Sequence, residues 1–176
     1  MDDNDRRMLV AQTATADWDL VIVPASVFEA IPTHLSRQQE YIKRQLSSLD
    51  RELETPGLSQ RTVLQIENRR SQLNAKVNKL MTGKRAKDTG LYFEQTGCDH
   101  LLVDEAHGYK NKARECAIEA LAHQGSQKAE DLNMKLDYLR DRAQQRAAAE
   151  GRAVVRGAEK VALFATGTPI ANSLAR

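Results

Sequence analysis

The chain has 176 residues, 41% of them hydrophobic and 28% charged, enough for one globular domain with an ordinary core and some extended helix. Aromatic content is only 5%, so the core must rest on Val, Leu, Ile and Ala, and a net charge of +2 gives no global argument for a nucleic-acid partner. No run of 18 apolar residues occurs and the opening MDDNDRRMLV has no signal-peptide core, which argues against a membrane and makes a cytoplasmic protein the expectation.

Taken in chain order, the first element is a short apolar run, Asp19 to Val23, ending at Pro24-Ala25-Ser26. It lacks alternation, as a strand buried on both faces of a parallel sheet does. The next segment changes period. Ser36 opens an S-x-x-Q capping box with Gln39, and Ile42, Leu46, Leu49 and Leu53 follow at 4-3-4 spacing. Thr55-Pro56-Gly57 breaks that helix. A second helix starts near Ser59 and sets Val63, Ile66, Leu73, Val77 and Leu80 on one stripe, with Arg70 in a stripe position. Two narrow heptad stripes joined by a short turn predict an antiparallel, coiled-coil hairpin ending at Thr82-Gly83-Lys84.

The two helices differ in charge. Ser36 to Glu54 holds four basic and four acidic residues, whereas Ser59 to Asp88 holds eight basic and two acidic. A solvated helix surface accounts for such a run. The functional alternative is a basic prong along a DNA backbone, with Arg69, Arg70 and Lys76 as candidate contacts.

A second apolar run, His100 to Val103, ends at Asp104-Glu105-Ala106-His107. A short helix follows over Arg114 to Leu121, then a loop at Gly125-Ser126-Gln127. A long helix from Ala129 to Ala149 turns Leu132, Leu136, Leu139 and Ala143 inward and stops at Gly151. The third apolar run, Val161 to Ala165, leads into Thr166-Gly167-Thr168-Pro169. All three runs put polar or turn-forming residues after their C-terminal ends, where open α/β sheets bind ligands. Cys98 and Cys116 form no CxxC pair, and Cys98 with His100 lacks a second ligand pair at zinc spacing, so both are read as reduced thiols.

The Asp-Glu-Ala-His tetrad is informative because it follows an apolar strand directly, the context of a Walker B motif. A strand-end Asp104 suits Mg²⁺, which prefers carboxylate oxygens and keeps part of its water shell. The adjacent Glu105 can polarise an attacking water, and His107 stands where the γ-phosphate can be sensed. The plain alternative is an acid-rich first turn of a helix. Phe164 to Asn172, read alone, is a strand and a Gly-Pro turn. Beside an upstream DEAH it resembles helicase motif III, in which the hydroxyls of Thr166 and Thr168 and the small Gly167 pack against the Walker B loop and report the nucleotide state.

On these residues the chain resembles superfamily 2 helicases of the Swi/Snf-like branch, and most closely the large helicase–DNA methylase fusion proteins of phages, plasmids and conjugative elements. The matching stretches are Asp17 to Pro24, Leu102 to Asn111, Gly125 to Leu132 and Phe164 to Ser173. The resemblance implies an α/β fold: a partial RecA-like parallel-sheet lobe of P-loop NTPase type with a helical-hairpin insertion. It implies three parts, residues 1–33, 34–88 and 89–176. It makes Asp104 the magnesium-side carboxylate, Glu105 the catalytic base, and His107, Thr166, Gly167 and Thr168 coupling residues. Pro24, Ala25 and Ser26 fall where such motors touch the DNA backbone.

No G-x-x-x-x-G-K-[ST] occurs; Met81-Thr82-Gly83-Lys84-Arg85 lacks the upstream Gly and the following Ser or Thr. The expectation is therefore a fragment or truncated product spanning motifs after the phosphate loop, with ATP and Mg²⁺ as cofactors and DNA and the remaining motor parts as partners of the complete protein. A non-catalytic DNA- or protein-binding module, an inactive product and a metal-dependent nuclease are the alternatives.

Overall fold

The computed structural model of the chain describes residues 3–82, 92–109, 126–153, 155 and 157–167. Over these it is mostly helical, with a small two-stranded parallel sheet. The elements are α1 (Asp3–Thr15), α2 (Ala25–Ala30), α3 (Leu35–Leu53), α4 (Gln60–Thr82), β1 (Leu101–Val103), α5 (Gln127–Ala149) and β2 (Ala162–Phe164), with 3₁₀ turns at Phe93–Gln95 and Ala106–Tyr109. The expected short helix at Arg114 to Leu121, the Gly83-Lys84 hairpin end, Cys116 and everything from Thr168 onward lie outside the described residues.

α5 organises the main core. Ser126 Oγ accepts the Ala129 amide at 3.2 Å and caps the helix start, and Gly151, in the left-handed region at φ +68°, follows its end. The stripe Leu132, Leu136 and Leu139 is buried as its spacing predicts, against Val10 of α1, Ile31, Phe93 and Val161. Each such leucine contributes about 1.5–3 kcal/mol by leaving water. Phe93 joins Phe28 and Tyr138 edge-to-face, with ring centroids 6.0 and 6.1 Å away.

The hairpin is α3 and α4. Ile42, Leu49, Ile66 and Leu73 form a separate buried cluster, flanked by Leu46, Leu53, Val77 and Leu80. These are the stripe positions, and Gly57 supplies the turn at φ +82°. The cap differs from expectation. His34, not Ser36, is the N-cap of α3: its Nδ1 accepts the Ser36 amide at 3.2 Å, and Ser36 lies inside the helix. The capping-box reading placed the start too late because an imidazole nitrogen can do the work of a hydroxyl there. The hairpin also does not stand free. α3 rests on α5 through Arg44 and Asp141 at 2.7 Å, Arg44 and Asp137, and Arg37 and Asp141 at 3.5 Å, while Lys76 of α4 meets Glu130 at 2.9 Å.

The sheet corrects two expectations. Asp19 to Val23 is no strand: residues 20–24 carry no regular structure, and Ile22 is 86% exposed. An apolar run becomes a strand only where another strand takes its backbone hydrogen bonds, and among the described residues none does. Nor are the two real strands covered on both faces, since Leu102 and Leu163 are 62% and 61% exposed. One side of the sheet, through Leu101, Val103 and Ala162, packs on the α5 core; the other is uncovered among the described residues. A complete RecA-like lobe is therefore more than these residues form.

Candidate functional site

β1 and β2 run parallel with Leu101 opposite Ala162 and Val103 opposite Phe164, so the loops after both strands leave at the same end. Backbone hydrogen bonds then join them: Ala165 N donates to Val103 O and Ala106 N to Ala165 O, each at 2.9 Å. The loop bearing Asp104, Glu105 and His107 is thus stitched to the segment leading into Thr166 and Gly167. These two motifs are 60 residues apart in the chain, and the structure brings them together. Thr168 lies outside the described residues.

Within the first loop, Asp104 Oδ1 accepts the Glu105 amide at 2.9 Å, tightening the turn off the strand. Glu105 sits at φ +48°, among the described residues the single non-glycine in the left-handed region. Such a backbone costs a non-glycine residue about 1–3 kcal/mol. Its carboxylate meets His107 Nδ1 at 2.9 Å, and both side chains are exposed. Two solvent-facing carboxylates and an imidazole at the carboxyl ends of parallel strands can hold a divalent cation, polarise a water and contact an anion.

A polar network ties this loop to α2. Tyr109, ending the 3₁₀ turn, donates its hydroxyl to Glu29 Oε1 at 3.0 Å, and Lys128 of α5 holds Glu29 Oε2 at 2.9 Å. The Lys128 hydrogen bond, aided by Tyr109, holds the Glu29 carboxyl below its usual range. Burial, then the Glu29 carboxylate, pushes Tyr109 up to about 12. Behind them Lys135 is 0% exposed, donating to Phe28 O at 2.8 Å and Asp131 at 2.7 Å, with its ammonium 4.1 Å from the Phe28 ring centre. Burial lowers the Lys135 pKa and raises that of Asp131. Sequence reasoning missed Tyr109, Glu29 and Lys135. A signal existed for Lys135, which falls on the inward stripe three residues after Leu132 and four before Leu139.

Pro24, Ala25 and Ser26 form the start of α2, where Pro24 O accepts the Val27 and Phe28 amides at 3.0 and 3.1 Å. The structure does not bring the candidate DNA contacts of α4 to this loop site. Arg70 pairs with Asp50 of α3 at 3.2 Å, Lys76 pairs with Glu130, and Arg69 lies half-buried near Tyr41. Among the described residues no helix is long and apolar enough to cross a membrane.

A family model described as "Probable helicase domain" matches residues 1–176. No curated protein and no solved structure matches the chain.

Proposed function

The chain belongs to the probable helicase domain family over its whole length, and from that premise we propose that it carries the magnesium-and-water part of a DEAH-type, superfamily 2 nucleic-acid motor of the Swi/Snf-like branch. Within that branch, our reading is that the chain resembles the helicase–DNA methylase fusions of phages, plasmids and conjugative elements. The observation that supports this best is the junction of the two loops: the DEAH turn after β1 is hydrogen-bonded to the segment entering Thr166-Gly167 after β2.

In this reading Asp104 holds Mg²⁺. The residues suit that ion in kind: Asp104 and Glu105 are exposed carboxylates in the turn that leaves β1. Magnesium asks for one or two carboxylates and takes its remaining ligands from water and phosphate. When bound it neutralises charge on the triphosphate of ATP. Glu105 orients the attacking water and accepts its proton. His107, paired with Glu105, senses whether the γ-phosphate is in place, and Thr166, Gly167 and Thr168 carry that state to the neighbouring loop. Pro24, Ala25 and Ser26, with Arg69, Arg70 and Lys76, are the proposed DNA contacts.

A triphosphate also needs a cradle, and no G-x-x-x-x-G-K-[ST] exists in the sequence. The phosphate grip and the arginine finger must then come from other parts of the motor. An arginine finger alone contributes about 10³–10⁵ in rate, so the 176-residue chain should show no measurable ATP turnover, with or without DNA. In a protein that supplies the missing loops, Glu105→Gln should lower turnover by about 10²–10⁴ and leave ATP affinity unchanged. DNA-stimulated turnover by the purified chain that vanishes in Glu105→Gln would show a complete enzyme. The sequence feature favouring a non-catalytic module is the same missing loop, and a salt-dependent DNA shift in a protein whose turnover survives Glu105→Gln would establish it.

A further inference from the structure

Two of the basic residues that sequence reading assigns to nucleic acid, Arg70 and Lys76, already hold carboxylates. Lys76 Nζ lies 2.9 Å from Glu130 Oε2 at the start of α5. Arg44 holds Asp137 and Asp141, about two and three turns further along α5 from Glu130. Arg69 of α4 and Glu130 and Asp137 of α5 are near enough to act on the Tyr41 hydroxyl, which sits between the helices. Three carboxylates of α5 thus pair with basic side chains of the hairpin, and one of them, Glu130, holds the candidate contact Lys76.

We propose that the Lys76–Glu130 contact is autoinhibitory: the α5 carboxylate stands in for a nucleic-acid phosphate and must be displaced before α4 engages a phosphodiester backbone. This rests on the DNA-contact part of the reading above. One feature of the contact favours its opening: Lys76 is 40% exposed and Glu130 22%, so water screens the pair and its own hold is weak. The apolar seam of the hairpin, by contrast, is buried.

The test is binding of a short fluorescent DNA duplex to the whole chain, with an RNA duplex of the same length as a parallel arm. Glu130→Gln should tighten binding about two- to fivefold at low salt, the scale of one half-exposed ion pair. The gain should vanish in the Lys76→Gln background. Glu67→Gln, which removes an exposed carboxylate from α4 itself, controls for net charge. Equal gains from Glu130→Gln and Glu67→Gln, or a gain that persists in Lys76→Gln, would overturn the proposal. If Lys76→Gln and Arg69→Gln leave wild-type binding unchanged, the DNA-contact reading fails instead, and if neither wild type nor Glu130→Gln binds either duplex, both fail. A second measurement needs no substitution: a carbodiimide should join Lys76 directly to Glu130, and saturating DNA should suppress that crosslink. A yield unaffected by bound DNA would refute displacement even if Glu130→Gln did not fold. Tightening by DNA and RNA alike would mean that the shared phosphodiester chemistry is what is read, and tightening by one alone would identify the source.

Discussion

The hairpin and the sheet both present apolar side chains, with opposite fates. α3 and α4 close their leucine and isoleucine stripes on each other, so Ile42, Leu49, Ile66 and Leu73 are buried by one neighbour. β1 and β2 are three residues each and leave Leu102, Leu163 and Phe164 facing solvent. A helix satisfies its backbone internally and needs a partner for one stripe only. A strand needs partners at both edges and cover on both faces, and a two-stranded sheet supplies half of each. The lesson is that the region carrying the candidate chemistry is the one whose folding is least self-sufficient.

That contrast can be broken most forcefully in the two cores. Leu73→Ala and Leu139→Ala should each cost about 2–5 kcal/mol, with different reach. Hydrogen exchange should speed across α3 and α4 alone in Leu73→Ala, and across α5 and β1 in Leu139→Ala. Equal acceleration of α5 by Leu73→Ala would mean that hairpin and core open together, and the comparison would collapse.

A smaller effect sharpens the sheet side. Glu29 links the DEAH-bearing turn to α2 and α5. Its carboxyl is held below 4.5 in the folded chain, so its contribution is full above that value and fades as pH falls through 4.5 toward the folded value. At neutral pH Glu29→Gln should lose about 1 kcal/mol, and the gap from wild type in urea melts should narrow on acidification. Asp131 works in the opposite direction, burial raising its carboxyl, so the difference between the two proteins carries the test. A gap constant across the acid range would show that the Glu29 charge is immaterial.

The least effect is expected on the open face. Leu163→Thr should leave stability within about 0.5 kcal/mol, as surface changes do, because nothing among the described residues covers it. A loss of several kcal/mol in thermal or urea melts would reveal a covering segment and make the sheet as self-contained as the hairpin.

Local rules carried the sequence reading a long way. Period and turn chemistry located α4, α5 and the break at Gly57, and Ser126 and Ser59 cap as small hydroxyl residues do: Ser59 Oγ accepts the Thr62 amide at 3.1 Å. The site loops were legible too, since an apolar run ending in Asp-Glu or in Thr-Gly announces a strand end regardless of its surroundings. Apart from the local His34 cap, what misled was decided by a distant partner. Asp19 to Val23 reads like β1 letter for letter in kind, yet one is paired and the other is not.

By itself, then, the sequence determined that α3, α4 and α5 are helical and which turns hold the carboxylates, because those follow from hydrogen bonds and periodicity within a few residues; α1 and α2 carry no such pattern and are not foreseen by it. Tertiary structure alone decided that Val103 and Phe164 lie side by side, that Glu105 takes φ +48°, and that Lys135 is buried under Phe28. It also decided that Lys76 pairs with an acid of α5. Each of these depends on groups tens of residues away, whose approach no local pattern encodes and only the closing of the core enforces.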